Sequence, residues 1–469
     1  MHGIWCLERL ISNNIGLDSP YWLQELAGNT CIFLNRHFGD AEYRKFRKFL
    51  ALSQWFTRRQ LEQYQTEKLK QLLDHAFKNV PYYRDIFIKN NLTPDNFNSI
   101  KDLRKLPFLT KEDVVKNPDR LISGEVDRKY LLSGRTSGTT GVPMEFFSDM
   151  RYAYRDYAFF QRHHAYLGIT GYKRKIRITG VVPENVFIPQ SEQPDAIFTP
   201  QNKYLQLTGL REGLFHWEKK LELIRKFKPA CIRGAPSVLY DFAGYLQEHN
   251  INDITSRVIT ATSENLFPYQ RELIGRQFGC KVYDQYNCTE QAISAAECLR
   301  QNGMHLDMER GITEIIDNNG ELLPDGKIGR IMATPLHNYA MPLIRYVTGD
   351  ISAISETSCP CGRGLPLLES FDGRIKVFRY KNKFFGAHEL SPIIGELKNI
   401  KECQFVQEKE TEVVINIVKR DGFSENDEKK LIKYVHDLID EKIEIKLNFV
   451  ASIPRTKMGK FQLVVSKLR

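Results

Sequence analysis

Thr136-Ser137-Gly138-Thr139-Thr140-Gly141-Val142-Pro143 crowds glycines and hydroxyls into one short stretch of a 469-residue chain. Glycines let backbone N–H groups approach an anion without Cβ clashes, and the Ser and Thr hydroxyls add donors that can follow a phosphate. A plain turn rich in Ser, Thr and Gly is the other reading of the same residues. No Gly-Lys-Ser/Thr follows, so this is not a Walker loop, and a nucleotide reading needs support elsewhere in the chain.

Support comes downstream, in order. Tyr286-Asn287-Cys288-Thr289-Glu290, Tyr346-Val347-Thr348-Gly349-Asp350, Gly373-Arg374 and Pro454-Arg455-Thr456-Lys457-Met458-Gly459-Lys460 are polar clusters set between apolar runs. Tyr286 offers a flat face to a base, Thr289 a hydroxyl to a phosphate, and Glu290 a hard oxygen ligand for Mg²⁺. Asp350, after a Thr-Gly turn, can accept from both hydroxyls of a ribose, although an Asp-capped turn would look the same. Lys460, beside Gly459, can bring a cation to a developing anionic transition state.

The set resembles the adenylate-forming ligases over most of the chain, from about Thr57 onward. Within them it is similar to the phenylacetate–CoA ligase family and its relatives of capsular polysaccharide clusters. Gln65 to Phe87, with Asn79-Val80-Pro81-Tyr82-Tyr83-Arg84, matches their N-terminal signature, as does Phe227-Lys228-Pro229 through Gly234-Ala235-Pro236-Ser237. The resemblance implies a layered α/β body over 57–373, preceded by a mainly helical extension over 1–56. It also implies a small α+β C-terminal lid over 374–469, hinged at Lys376.

For the site, the resemblance implies that Thr136, Ser137, Gly138, Thr139, Thr140 and Gly141 hold departing phosphates, and that Ser263 and Glu264 border the adenine. Tyr286 would stack on that base, Asp350 and Arg374 would bind the ribose and phosphate, and Thr289, Glu290 and Lys460 would act in catalysis. Three positions depart from the wider pattern: Met144 where many members carry Lys, Asn287 in place of Gly, and Val377 in place of an acidic residue. The implied reaction is ATP- and Mg²⁺-dependent activation of a carboxylic acid through an acyl adenylate, followed by transfer to CoA. A sugar amine or carrier is an alternative acceptor. An inactive nucleotide-binding protein is the reading from another class.

Local patterns agree with a layered α/β fold. Apolar positions recur at helical spacing from Arg59 to Phe77, ending before Val80-Pro81. Thr110 with Asp113 marks another helix start. Trp217–Phe227 and 237–249 read as helices, 257–261 and 281–283 as strands, and 312–316 with 328–333 as a hairpin. After Arg374, Glu412 to Val418 alternates as a strand, 426–441 reads as a helix, and Glu444 to Val450 alternates again.

A second constellation is Cys298, His305, Cys359 and Cys361. Three thiols and an imidazole complete a closed tetrahedral zinc set, and the Cys-Pro-Cys-Gly turn lets two thiolates face one ion, which predicts a structural zinc. Nine scattered cysteines have no disulfide framework. Together with the lack of a long apolar run and the charged Glu8 and Arg9 near the N-terminus, this predicts a cytoplasmic protein without a transmembrane segment. A net charge of +10 favours anionic partners such as ATP, CoA or the surface of an anionic membrane. No zinc-finger, homeodomain or RNP-type pattern points to nucleic acid.

Overall fold

Thr57 opens the longest helix with a reciprocal cap: its hydroxyl accepts from Gln60 N at 3.3 Å and its own N–H donates to Gln60 Oε1 at 2.8 Å. The helix runs Arg58–Asn79 and stops at Val80, because Pro81 restricts the residue before it; Pro81 then starts the next helix, Pro81–Lys89, from its first position. This is a computed structural model, and it describes residues 15, 19–38, 40–136, 144–179, 196–199, 203–208, 216–317, 319–369, 378–381, 383–397, 399–456 and 461–468. The chain divides into two compact units: 1–173 with 198–204 and 283–370, and 174–197 with 205–282 and 371–469.

In the first unit, the apolar stripe Leu69, Leu72, Leu73 and Ala76 is fully buried against Phe87, Phe97, Leu109, Met144 and Tyr346. Helices also form the N-terminal extension, Tyr21–Phe38 and Ala41–Ser53. The strands Gly311–Ile316, Gly329–Pro335 and Tyr346–Ser352 make an antiparallel sheet in that order, confirming the hairpin read from the sequence. A second antiparallel run pairs Val282–Asn287 with Ser294–Glu297, that strand with Met304–Leu306, and Met304–Leu306 with Leu367–Leu368.

A buried charged network braces the helix Met150–Tyr166 in this unit. Arg162 is bidentate to Glu309 at 2.7 and 3.0 Å and also reaches Asp307, while His163 Nε2 meets Asp307 at 2.7 Å. Burial disfavours the Asp307 carboxylate, yet His163 and Arg162 outweigh it and hold that carboxyl below its ordinary range. Removing one partner would strand a buried charge, the costly way to break such a pair.

In the second unit, Lys175–Ile178, Cys231–Gly234 and Val258–Thr262 pair in parallel, and every residue of the last strand is buried, as expected where helices cover both faces. The helices Trp217–Phe227, Pro236–Glu248 and Pro268–Phe278 contribute Trp217, Phe242 and Phe278, with Trp217 stacked on Phe242 at 4.2 Å. The same unit contains a four-stranded sheet in the order Glu444–Phe449, Glu412–Lys419, Ile400–Lys409, Val464–Ser466. Its central pair is antiparallel and both outer pairs are parallel, so each edge strand needs a crossover. Helix Glu425–Leu438 supplies the crossover between Glu412–Lys419 and Glu444–Phe449. Phe267 shares a hydrophobic cluster with Phe405, Ile415, Leu431 and Val464.

Candidate active site and metal centre

The glycine-rich stretch is closed at its base by a two-way bond. Thr136 N donates to Met144 O at 2.9 Å, and Met144 N donates to Thr136 Oγ1 at 3.1 Å. Antiparallel strands Leu132–Arg135 and Glu145–Ser148 continue outward from this pair. Thr136 therefore spends its hydroxyl holding the loop base. Ser137, Gly138, Thr139, Thr140 and Gly141 lie outside the described residues. Met144 is fully buried, with the Tyr346 hydroxyl 3.7 Å from its sulfur, so its side chain belongs to the core.

Two motifs far apart in sequence meet through their side chains. Tyr286 OH donates to Asp350 Oδ2 at 2.7 Å, across 64 residues. Tyr346 OH donates to Glu290 Oε1 at 2.8 Å, across 56 residues. Burial, reinforced by the Asp350 carboxylate, raises the Tyr286 hydroxyl well above its ordinary value, so it remains a donor at neutral pH. Asp350 N in turn donates to Thr348 Oγ1 at 3.1 Å. Gly349 between them has φ +82°, and the space where a Cβ would sit is open, leaving the backbone accessible on that side. Thr289 is exposed beside the buried Glu290.

In the second unit, Ser263 ends the parallel strand Val258–Thr262 at φ +75°, exposed. A non-glycine residue held in the left-handed region at the carboxyl end of a parallel strand is common at ligand sites of α/β sheets. The neighbouring Glu264 accepts from Ser237 N at 3.1 Å and from Phe461 N at 2.8 Å. Arg374, Lys376 and Lys460 lie outside the described residues.

The metal-ligand constellation is assembled by strand pairing in the first unit. His305 sits on Met304–Leu306, opposite Ala296, and Cys298 follows the neighbouring strand Ser294–Glu297. Gly362 at φ +85° turns the Cys-Pro-Cys segment, and its N–H donates to Cys359 O at 3.3 Å. The four ligand atoms all lie within 4.8 Å of one another, with Cys298 Sγ and Cys359 Sγ 3.7 Å apart and Cys361 Sγ 3.3 Å from His305 Nε2. A tetrahedral ion bound to thiolates at about 2.3 Å would place two sulfurs about 3.8 Å apart, so the set fits zinc. Burial, with the Arg363 guanidinium adding to it, pushes the His305 imidazole down to about 4, which leaves it neutral, as a metal ligand must be. Arg363 also donates to Gln54 Oε1 at 2.8 Å and lies over Trp55 and Tyr166, which ties the knuckle to the N-terminal helices.

Sequence reasoning missed the partners that hold these groups. Tyr346 opens the Thr-Gly-Asp stretch and Met144 follows the glycine-rich one, but the sequence assigned neither a role as a partner, and Ser237 acts through its backbone. The Arg162–Asp307–Glu309 network likewise leaves no spacing signal, because Arg162 lies more than 140 residues from both carboxylates.

Comparison with known proteins bears on the fold as a whole. A family model, the CapK C-terminal domain, matches residues 378–467. The chain is 25% identical over 463 residues to Protein CapK of Staphylococcus aureus, covering 93% of this chain and 95% of that protein. It is 27% identical over 326 residues to a phenylacetate-coenzyme A ligase of Thermus thermophilus, covering 65% of this chain and 68% of that protein. A crystal structure of 2-hydroxyisobutyryl-CoA ligase in its postadenylation state superposes with a TM-score of 0.73 at 18% identity, over 88% of this chain and 90% of the other. The fold is thus that of the adenylate-forming ligases. Among proteins with that fold, the chain is similar to CapK and to the phenylacetate-coenzyme A ligases.

Proposed function

We propose that this protein activates a small carboxylic acid with ATP, as an acyl adenylate, and passes the acyl group to the thiol of CoA. The observation that carries the reading is the paired arrangement of Tyr286 with Asp350 and of Tyr346 with Glu290, which brings two separate nucleotide motifs into one corner of the first unit. In the first step an oxygen of the acid attacks the α-phosphorus, the bond to the bridging oxygen breaks, and pyrophosphate leaves. Catalysis is then mostly positioning and charge neutralisation.

Asp350, oriented by Tyr286, would accept from the ribose hydroxyls, and the Tyr286 ring would carry the adenine. Thr289 would donate to the α-phosphate, and the loop 137–141 would hold the leaving phosphates. Glu290, oriented by Tyr346, would hold Mg²⁺, which offsets phosphate charge when bound. Lys460 would neutralise charge between the acid and the α-phosphate, and Arg374 would contact ribose and phosphate, with the chain hinged near Lys376. In the second step the thiol sulfur bonds to the acyl carbon, its proton leaves, and AMP departs.

Cys298, His305, Cys359 and Cys361 would hold a structural zinc, since four protein ligands leave no position for water. The free thiols suit a reducing compartment, the cytoplasm. No helix among the described residues is long and apolar enough to cross a membrane. The test is pyrophosphate release over a panel of aryl, arylacetic and aliphatic acids. Acid-dependent release is expected in the wild type and a loss of at least about 100-fold in Lys460→Ala, the scale of removing one transition-state contact. No release with any acid would favour the inactive reading.

A second reading concerns the acceptor. The match to CapK covers 93% of the chain, whereas the Thermus ligase match covers 65% of it. The acyl group would then pass to an amine of a surface-polysaccharide precursor or to a carrier. Adding CoA and then amino sugars to the pyrophosphate assay separates the two acceptors.

A further inference from the structure

Glu264 uses its two oxygens on two different segments. Oε2 accepts from Ser237 N at 3.1 Å, in the first turn of helix Pro236–Glu248, where an anion also complements the helix dipole. Oε1 accepts from Phe461 N at 2.8 Å, 197 residues away. Phe461 directly follows Lys460 in the chain. Other bonds hold the following residues from the opposite side: Gln404 Nε2 donates to Gln462 O at 2.9 Å, and Phe405 N donates to Leu463 O at 2.8 Å. Arg455 lies over the Phe461 ring at 4.7 Å and pairs with Glu402. The Phe461 backbone is thus clamped between the C-terminal sheet and the strand end that carries Ser263 and Glu264.

We propose that Glu264 is a positioning residue for acid activation: it spends its carboxylate on the Phe461 and Ser237 amides and so fixes the backbone at the residue that follows Lys460. This replaces a direct nucleotide-binding role for its side chain, and it rests on the acid-activating reading given above. Both bonds are charge-assisted, the stronger class of hydrogen bond, and both are lost together when the carboxylate is removed. Misplacement of a catalytic group by about 1 Å can cost about 100-fold in rate.

The test compares Glu264→Ala, Glu264→Gln, Lys460→Ala and the double variant Glu264→Ala/Lys460→Ala. Each is assayed for single-turnover pyrophosphate release with ATP and the best acid of the wild-type panel, for the KM of ATP, and for hydrogen exchange of the peptide containing Phe461. In Glu264→Ala the rate should fall about 10- to 100-fold with KM for ATP within about twofold, and exchange at Phe461 should rise about tenfold or more. Glu264→Gln keeps one acceptor oxygen and should fall between. In the Lys460→Ala background, adding Glu264→Ala should cost less than about twofold, since it acts through that lysine.

A raised KM for ATP at an unchanged rate would make Glu264 a nucleotide ligand and overturn the proposal. So would fully additive losses in the double variant, or unchanged exchange at Phe461. If the wild type releases no pyrophosphate with any acid, the positioning role falls with the function, and the exchange measurement alone then decides whether the Glu264–Phe461 tie exists.

Discussion

Replacing Cys359 by serine, or stripping metal with a chelator, should destabilise the first unit by about 4 kcal/mol. Cys298 and Cys359 are separated by 61 residues, and a zinc bridging them closes that loop in the native state. The chain-entropy model for a cross-link over a loop of this length gives about 4 kcal/mol. A metal that binds only the folded state at about 1,000 times its Kd contributes about 4.1 kcal/mol. For a unit of this size each kcal/mol moves the melting temperature by about 2–4 °C, so a fall of about 10 °C is expected.

The assay is zinc released on thiol modification, read with a chromogenic chelator, together with thermal unfolding before and after metal removal. One zinc per chain is expected. Well below the melting temperature, pyrophosphate release by the depleted protein should track its folded fraction, as a structural role requires. Purified protein with no bound zinc would refute the reasoning. So would a melting temperature indifferent to both Cys359→Ser and chelation.

Two further outcomes follow from side chains to which the sequence assigned no role. Tyr346→Phe removes the donor that orients Glu290 while keeping the ring in the core. Pyrophosphate release should fall about tenfold and unfolding free energy by only about 1 kcal/mol, measured by kinetics and urea denaturation; undiminished release would mean that the Glu290 orientation is not set by this bond. His337 is buried, its Nε2 within 2.9 Å of Glu309 O, and burial, with Arg155 adding to it, pushes its imidazole down from 6.5 to about 3. The unfolded chain therefore binds the extra proton first. The stability that the neutral native His337 confers is present in full above about pH 6.5 and is lost progressively as pH falls toward the folded value. By pH 4.5 about 2–3 kcal/mol of it should be gone, and His337→Gln should show a shallower acid limb in urea titrations at stepped pH. Parallel limbs in the two proteins would rule out His337 as the titrating group.

Part of the proposed site was legible as residue types in order, because the proposed activation of an acid with ATP calls for a phosphate loop, a flat ring, a carboxylate for ribose and a late lysine, of which the loop 137–141 and Lys460 lie outside the described residues. Tyr286, Glu290 and Asp350 announce themselves by that chemistry. The strands Ile400–Lys409 and Val464–Ser466 went unread, since the first is a long, largely buried run and the second has only three residues. Their pairing is parallel and distant, so no local period reveals it.

By itself, the sequence determined the fold class, helix starts such as the one capped by Thr110, and the set of Cys298, His305, Cys359 and Cys361 that the fold brings together. Those features rest on local spacing and on the chemistry of individual side chains. Only the tertiary structure decided that Met144 fills the core, that Tyr346 holds Glu290, and that Glu264 turns its carboxylate to the Phe461 amide. The reason is physical: a hydroxyl or carboxylate can be satisfied by many partners, and which one it takes is set by burial and by long-range strand and helix packing, where an unpaired polar group costs too much to leave alone.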